Sequence, residues 1–490
     1  MRRSLLPLAC ILSVALGCHK APRDLRAGLE PLTSAAAIVE GRAGAPVPTD
    51  TVDAGLSVGV VRARWTLRSQ EGEERDFWSD VALLDAPNAE RAATTMDERT
   101  FAAALRTLLD GRPDAAAVAF ELLHASAQDP VVRARSRIGL TMALSYDSDW
   151  GAMARLRPNP IGTDSLPATL AVSAGVERWA RALSMVPSPV FDIPDGSVVL
   201  PMRRSSLGTP VVTIRINGRP HDFWLDTGAS MTLLSTDVAI AAGAKLASSD
   251  TLALGVVGGH IEARAIYIDS MSIGPIVVRG LGAALVSPEA LRFDQRMVNG
   301  LRKTVPIDGM IGTDVLRHLD VVMDARVGTI TLRKPRRNPS ATRNLFWVGY
   351  PVVRLVTRDG RPVIFGLDTG AEGTYVTKTL LEKLPRTPVA AKRNSIVGLG
   401  ADARKKQKQS LWVARHVPLS DGNYAISLRN VPIMPAQRWT FVDFDGVIGS
   451  DIALATRMHL DFTNGVFDIR ESEAGPVVPL GGAPDVKVVY

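Results

Sequence analysis

One five-residue string occurs twice in this chain, and that repetition constrains the fold more than any other feature. Leu225-Asp226-Thr227-Gly228-Ala229 returns as Leu367-Asp368-Thr369-Gly370-Ala371, 142 positions further on. Each copy follows a polar turn and an apolar run: Asn217-Gly218-Arg219-Pro220 before Phe223-Trp224, and Arg358-Asp359-Gly360-Arg361-Pro362 before Ile364-Phe365. A second string, Asp308-Gly309-Met310-Ile311-Gly312-Thr313-Asp314, returns 137 positions on as Asp445-Gly446-Val447-Ile448-Gly449-Ser450-Asp451. From there the register holds without a gap, Asp324 matching Asp461 and Gly328 matching Gly465. The middle differs in length by five residues, as a surface loop tolerates. A single Asp-Thr-Gly is a weak motif. Two copies in matched context, each with its own downstream glycine string, mark a duplicated lobe.

The texture around the repeat is that of β-structure. Val211-Val212-Thr213-Ile214-Arg215-Ile216 alternates with period two and ends at Asn217-Gly218, a hairpin turn signal. Similar short runs continue to Leu332. The polar, proline-bearing stretch 335–344 then separates lobe 1 (191–334) from lobe 2 (345–475), and a tail covers 476–490. Residues 56–190 read instead as helices. Phe101, Leu105, Leu108 and Leu109 recur at helical spacing, as do Val118, Phe120, Leu122 and Leu123. Gly111-Arg112-Pro113 breaks the first of these helices. Asp129-Pro130 opens the next with an N-cap residue and a first-turn proline. The pattern is that of a generic helical domain with a faint likeness to a tetratricopeptide unit. At 490 residues the chain has room for about three domains.

The N-terminus reads as an export signal over residues 1–18. Met1-Arg2-Arg3 is positive, and Leu5–Leu16 is apolar but too short to span a bilayer. It ends in Ala15-Leu16-Gly17-Cys18, which resembles a lipobox and makes Cys18 the expected lipidation site. The alternative is an ordinary signal peptide with a chance cysteine. Cys10 and Cys18 are the two cysteines, so a mature chain starting at Cys18 holds no internal disulfide. Residues 19–55, rich in Ala, Gly, Pro and Thr, read as a tether. The expected location is the cell envelope, as a periplasm-facing or outer-membrane lipoprotein, or else a secreted or periplasmic protein.

The net charge of +7 comes from scattered residues, and the densest basic cluster, Arg404-Lys405-Lys406-Gln407-Lys408, reads as a solvated loop. Nucleic acid is therefore not an expected partner. Other hydrolytic chemistries lack their residues. There is no His-Glu-x-x-His, the seven histidines show no metal-ligand spacing, and no Gly-x-Ser-x-Gly is present. No cofactor or metal is expected.

Taken together, the two Asp-Thr-Gly strings and their downstream glycines resemble the retropepsin-like aspartic proteases, over about 280 residues. The resemblance implies an N-terminal α-helical region followed by two all-β retropepsin-like barrel lobes, both on one chain as in pepsins. It implies a catalytic pair, Asp226 and Asp368. Thr227 and Thr369 would bond across the lobes. Gly228, Gly370, Gly312 and Gly449 would support the active loops. Two carboxylates about 3 Å apart share one proton, which supplies the acid and the base that peptide hydrolysis needs. Gly258 and Gly259 in lobe 1, and Gly398 and Gly400 in lobe 2, occupy the places of covering flaps or of plain hairpins. Asp314 and Asp451 are expected to cap short helices starting at Val315 and Ile452. Glu372, where lobe 1 has Ser230, is the asymmetry of the pair. The expected function is an aspartic endopeptidase acting on protein or peptide as a monomer. The rival is an unproductive peptide-binding scaffold, and a further possibility pairs lobes between chains.

Overall fold

The computed structural model describes residues 57–67, 75–156, 167–205, 208–256, 259–296, 302–371, 373–384, 386–395, 408–435, 437–439 and 442–472. Cys18, Glu372, Gly258, Gly398 and Gly400 lie outside these residues.

Among the described residues, β1 (Ser57–Arg62) is followed by seven helices: α1 (Phe77–Ala82), α2 (Ala86–Ala92), α3 (Met96–Leu109), α4 (Pro113–Ser126), α5 (Pro130–Tyr146), α6 (Trp150–Arg155) and α7 (Pro167–Leu183). Local chemistry sets their ends. Thr95 and Glu98 exchange side-chain and backbone bonds as a capping box for α3. Asp129 accepts from the Val131 N–H, with Pro130 in the first turn of α5. Phe120 of α4 lies against Gly139 of α5, where a Cβ would sit 2.6 Å from its ring, so the glycine sets how closely the two helices cross. Phe120 meets Phe101 of α3 edge to face at 5.5 Å, a pairing worth about 1 kcal/mol beyond burial. Val118 and Leu122, expected in that core, are 69% and 62% exposed. They share the spacing of a buried stripe but lie on the far side of the helix from Phe120 and Leu123.

Lobe 1 comprises β2 (Ser197–Pro201), β3 (Pro210–Ile216), β4 (Arg219–Leu225), β5 (Leu233–Ser235), α8 (Thr236–Ala242), β6 (Leu252–Val256), β7 (Gly259–Ile273), β8 (Ile276–Val286), β9 (Gly309–Ile311), α9 (Thr313–Leu316), β10 (Asp320–Asp324) and β11 (Thr329–Arg333). Lobe 2 repeats the plan with β12 (Pro351–Thr357), β13 (Pro362–Leu367), β14 (Tyr375–Thr377), α10 (Lys378–Lys383), β15 (Val389–Ser395), β16 (Lys408–Ser420), β17 (Tyr424–Met434), β18 (Gly446–Ile448), α11 (Ser450–Ala455), β19 (Arg457–Asp461) and β20 (Val466–Arg470). In each lobe the strand before the Asp-Thr-Gly loop pairs in parallel with the strand of the downstream glycine string, β4 with β9 and β13 with β18. β9 and β18 also pair antiparallel with β5 and β14, so one short strand is clamped on both sides.

The lobes join through a five-stranded sheet in the order β20-β19-β10-β11-β2. Its centre pairs β10 with β19, and Val322 faces His459, its own counterpart at the 137-residue offset. Ser57–Arg62, placed with the helical region from the sequence, forms a strand antiparallel to β17 of lobe 2.

Candidate active site

Parallel pairing of β4 with β9 carries the chain of lobe 1 straight into the Asp226 loop. The Asp226 N–H donates to the Ile311 carbonyl at 3.0 Å, and that of Asp368 to the Ile448 carbonyl at 2.9 Å. Inside each loop the carboxylate folds back on its own backbone. Asp226 Oδ1 accepts from the N–H groups of Gly228 (2.8 Å) and Ala229 (3.1 Å); Asp368 Oδ1 accepts from those of Gly370 (3.0 Å) and Ala371 (2.9 Å).

The threonines tie the two loops together. Thr227 Oγ1 donates to the Leu367 carbonyl at 3.1 Å and Thr369 Oγ1 to the Leu225 carbonyl at 2.6 Å. Each hydroxyl also accepts from the other threonine's N–H, at 3.0 and 2.9 Å. Four bonds thus cross the lobe interface in two symmetric pairs. The glycines allow the approach: a Cβ on Gly228 would lie 2.4 Å from Cγ of Asp368, and one on Gly370 2.4 Å from Cγ of Asp226. Each loop therefore packs its glycine on the opposite carboxyl group, which brings the two aspartates side by side.

Both carboxyls are buried, at 5% and 3% exposure. Burial pushes the Asp226 carboxyl up, while the N–H groups of Gly228 and Ala229 pull it down. Burial drives Asp368 well above the ordinary range, and the neighbouring Asp226 charge adds to it. Both shifts act in the direction that favours a proton on the pair. Tyr375 is buried close enough to feel Asp368; burial first, then that charge, raises its phenol well above 10.0. Nothing in the repeat marked Tyr375, since lobe 1 has Leu233 at that place.

Gly312 and Gly449 pass behind the loops. A Cβ on Gly312 would meet the Met231 backbone at 2.6 Å, and one on Gly449 the Gly373 backbone at 2.6 Å. Asp314 and Asp451 stand inside the first turn of their helices, whose N-cap positions are Gly312 and Gly449; Asp451 Oδ1 still accepts from the Ile452 N–H at 2.8 Å, at the helix start where the cap was expected. Both also turn back to the loop, which offers each of them two donors. Asp314 accepts from Thr232 N (2.8 Å) and Oγ1 (2.9 Å), and Asp451 from Thr374 N (2.8 Å) and Oγ1 (2.6 Å). Burial raises both to about 6 against those donors. Of the flap candidates, Gly259 pairs with Val256 at the tip of the β6–β7 hairpin. In lobe 2 the β15–β16 hairpin is paired up to Ser395 and Lys408, on either side of Gly398 and Gly400.

Residues 212–315 match a family model described as aspartyl protease. Among solved structures, a retropepsin-like aspartic protease from Rickettsia conorii is 16% identical, with 30% of this chain and 94% of that one covered and a TM-score of 0.19. An aspartic proteinase from Irpex lacteus is 13% identical, with 57% and 98% covered and a TM-score of 0.33. No curated protein matches the chain. The matched segment, which contains the first Asp-Thr-Gly loop and its glycine string, gives this chain its resemblance to the retropepsin-like aspartic proteases.

Proposed function

We propose that the chain is an aspartic endopeptidase whose single site is made by Asp226 and Asp368 of one molecule. The observation that carries this reading is the four-bond threonine lock, which sets two buried carboxyls side by side with their loops bonded identically. With one carboxyl ionised and the other protonated, the ionised group takes a proton from a water lying between them. The hydroxide so generated attacks the peptide carbonyl, whose oxygen takes the proton of the other carboxyl. The resulting gem-diol collapses as the carboxyl that took the water's proton gives it to the leaving nitrogen and the other carboxylate takes a proton from a gem-diol hydroxyl, and the C–N bond breaks. No net proton is consumed at the pair. The substrate is a protein or peptide in extended form, bound partly through backbone hydrogen bonds to hairpin edges.

Cys18 is read as the lipid attachment point, which would hold the enzyme at the cell envelope on the 19–55 tether. Globomycin sensitivity of processing and loss of membrane fractionation in Cys18→Ser test that part.

A peptide library incubated with the mature protein between pH 3 and 8 tests the chemistry. Cleavage abolished by Asp226→Asn and by Asp368→Asn is the expected result. Cleavage that survives either substitution removes the pair from the mechanism. Binding without cleavage at every pH favours a peptide-binding scaffold.

A further inference from the structure

The face of each lobe that carries the aspartate is already occupied. Side chains alternate along a strand, so Trp224, two residues before Asp226, projects to the same side as the carboxyl. Register extends that face sideways, Trp224 to Met310 to Leu233. The intervening Leu225, Ile311 and Leu234 point the other way, into the lobe core. In lobe 2 the equivalent row is Gly366, Val447 and Tyr375, with Leu367, Ile448 and Val376 behind it.

The lobe 1 row is 3–4% exposed. It belongs to one apolar cluster with Trp150 and Met153 of α6 and Trp179 and Leu183 of α7. The lobe 2 row is buried in a cluster with Phe77, Phe101 and Phe120 of α1, α3 and α4. The β6–β7 hairpin is drawn into the same cover. Leu252 and Leu254 share the cluster of α6 and α7, and the Trp179 indole N–H donates to the Ala253 carbonyl at 3.1 Å.

The two halves of the cover are held differently. Over lobe 2, Arg343 Nε donates to the carbonyl of Leu109, the last residue of α3, at 2.9 Å. Arg354 donates to the Leu84 carbonyl just beyond α1, and the Trp347 indole to the Met142 carbonyl of α5 at 3.2 Å. Where α5 ends, Arg317 of lobe 1 donates to the Tyr146 carbonyl and, at 2.9 Å, to Ser148 Oγ. One buried arginine, Arg317, and two half-buried ones, Arg343 and Arg354, therefore fix the α1–α5 half. Among the described residues, the contact of α7 with the hairpin is apolar apart from the indole bond.

We propose that the helical region is a built-in cover of the substrate cleft. In the resting chain it occupies the apolar walls of both lobes, and release of α7 from the β6–β7 hairpin is the step that admits a peptide. The inference rests on the peptidase reading for what enters, and on the apolar packing alone for what is covered.

The test uses the full chain carrying Trp179→Phe, which removes the indole donor and keeps a ring, and Trp179→Ala. A ligand that binds an open form present as a small fraction gains apparent affinity in proportion to that fraction, so about a tenfold rise in kcat/KM on the peptide library is expected for Trp179→Ala and a smaller rise for Trp179→Phe. Faster amide hydrogen exchange across 252–256 should accompany it. If Trp179→Ala does not fold, the Trp179→Phe comparison decides. Hairpin exchange that speeds up with no gain in cleavage overturns the cover. If none of the proteins cleaves, a statine-containing peptide replaces the library. Tighter binding by the variants then supports the cover while the peptidase reading fails. Equal or absent binding by wild type and variants overturns it.

Discussion

Asp308 and Asp445 hold the same place in the two lobes and live in different surroundings. Each accepts a backbone N–H from the strand beside it, Asp308 from Asp222 at 3.1 Å and Asp445 from Ile364 at 2.8 Å. Asp308 keeps 44% of its side chain in solvent, whereas Asp445 has none and pairs with Lys383 at 2.7 Å. The rows beside the aspartates diverge too. Trp224 fills its own position in lobe 1. In lobe 2 a Cβ on Gly366 would meet the Tyr350 ring at 2.9 Å, so Tyr350 takes up the space that Trp224 fills in the other lobe. The repeat thus preserves backbone hydrogen bonds and lets side-chain volume and charge drift. Divergence of this kind is expected where the bonds are geometric necessities and the packing partners are different helices.

The dyad is where the lobes should behave alike. Asp226→Asn and Asp368→Asn should each lower kcat/KM by about 10³-fold or more, since each removes the acid or base function from one shared step. A large difference between them would make one lobe a bystander.

Asp314 and Asp451 extend the comparison to pH. Each is raised by burial to about 6, above its ordinary value of 3.8. Between those values the folded chain holds more protons than the unfolded one, so stability falls as pH rises through this window and is regained on acidification. Each residue should contribute a slope amounting to about 3 kcal/mol across the window. Asp314→Asn and Asp451→Asn should flatten it equally in urea titrations at pH 4 and 7; an unequal effect would show that the two loops are braced differently.

A smaller contrast is expected at the opening pair. Lys383→Met leaves the buried Asp445 carboxyl without its cation and should cost roughly 2–4 kcal/mol by the same measurement, because Lys383 is itself partly solvated. Asp308→Asn, half in water, should stay within about 0.5 kcal/mol. Equal losses would mean that exposure is not what separates the two sites.

The loops were legible in the sequence because their chemistry is local and repeated. Two Asp-Thr-Gly strings with matched glycines have few ways to fold, and the residues named from them are those the structure brings together. The helices were legible from their breaks at Gly111-Pro113 and Asp129-Pro130. Their docking was not, since periodicity locates an apolar face without saying what it meets, and Val118 and Leu122 fell on the wrong side. The capping expectation for Asp314 and Asp451 is incomplete for a related reason. A carboxylate at a helix start obeys the capping rule in isolation, but Thr232 and Thr374 offer it two donors from a loop about 80 positions away in sequence. Tyr375 carried no signal, as its meaning lies in a position where the lobes differ.

The β10–β19 pairing has one further consequence. Because Val322 faces its own counterpart, this seam is one that two copies of a single lobe could make with each other. Two separate lobes would meet by diffusion, and the site would dissolve on dilution. On one chain, the second lobe is presented at an effective concentration set by the connecting segment, independent of how much protein is present. A molecule scarce in its compartment would still have a complete site. Each half is also released from the need to serve both sides of a symmetric dimer, which leaves room for Trp224 and Gly366 to part company.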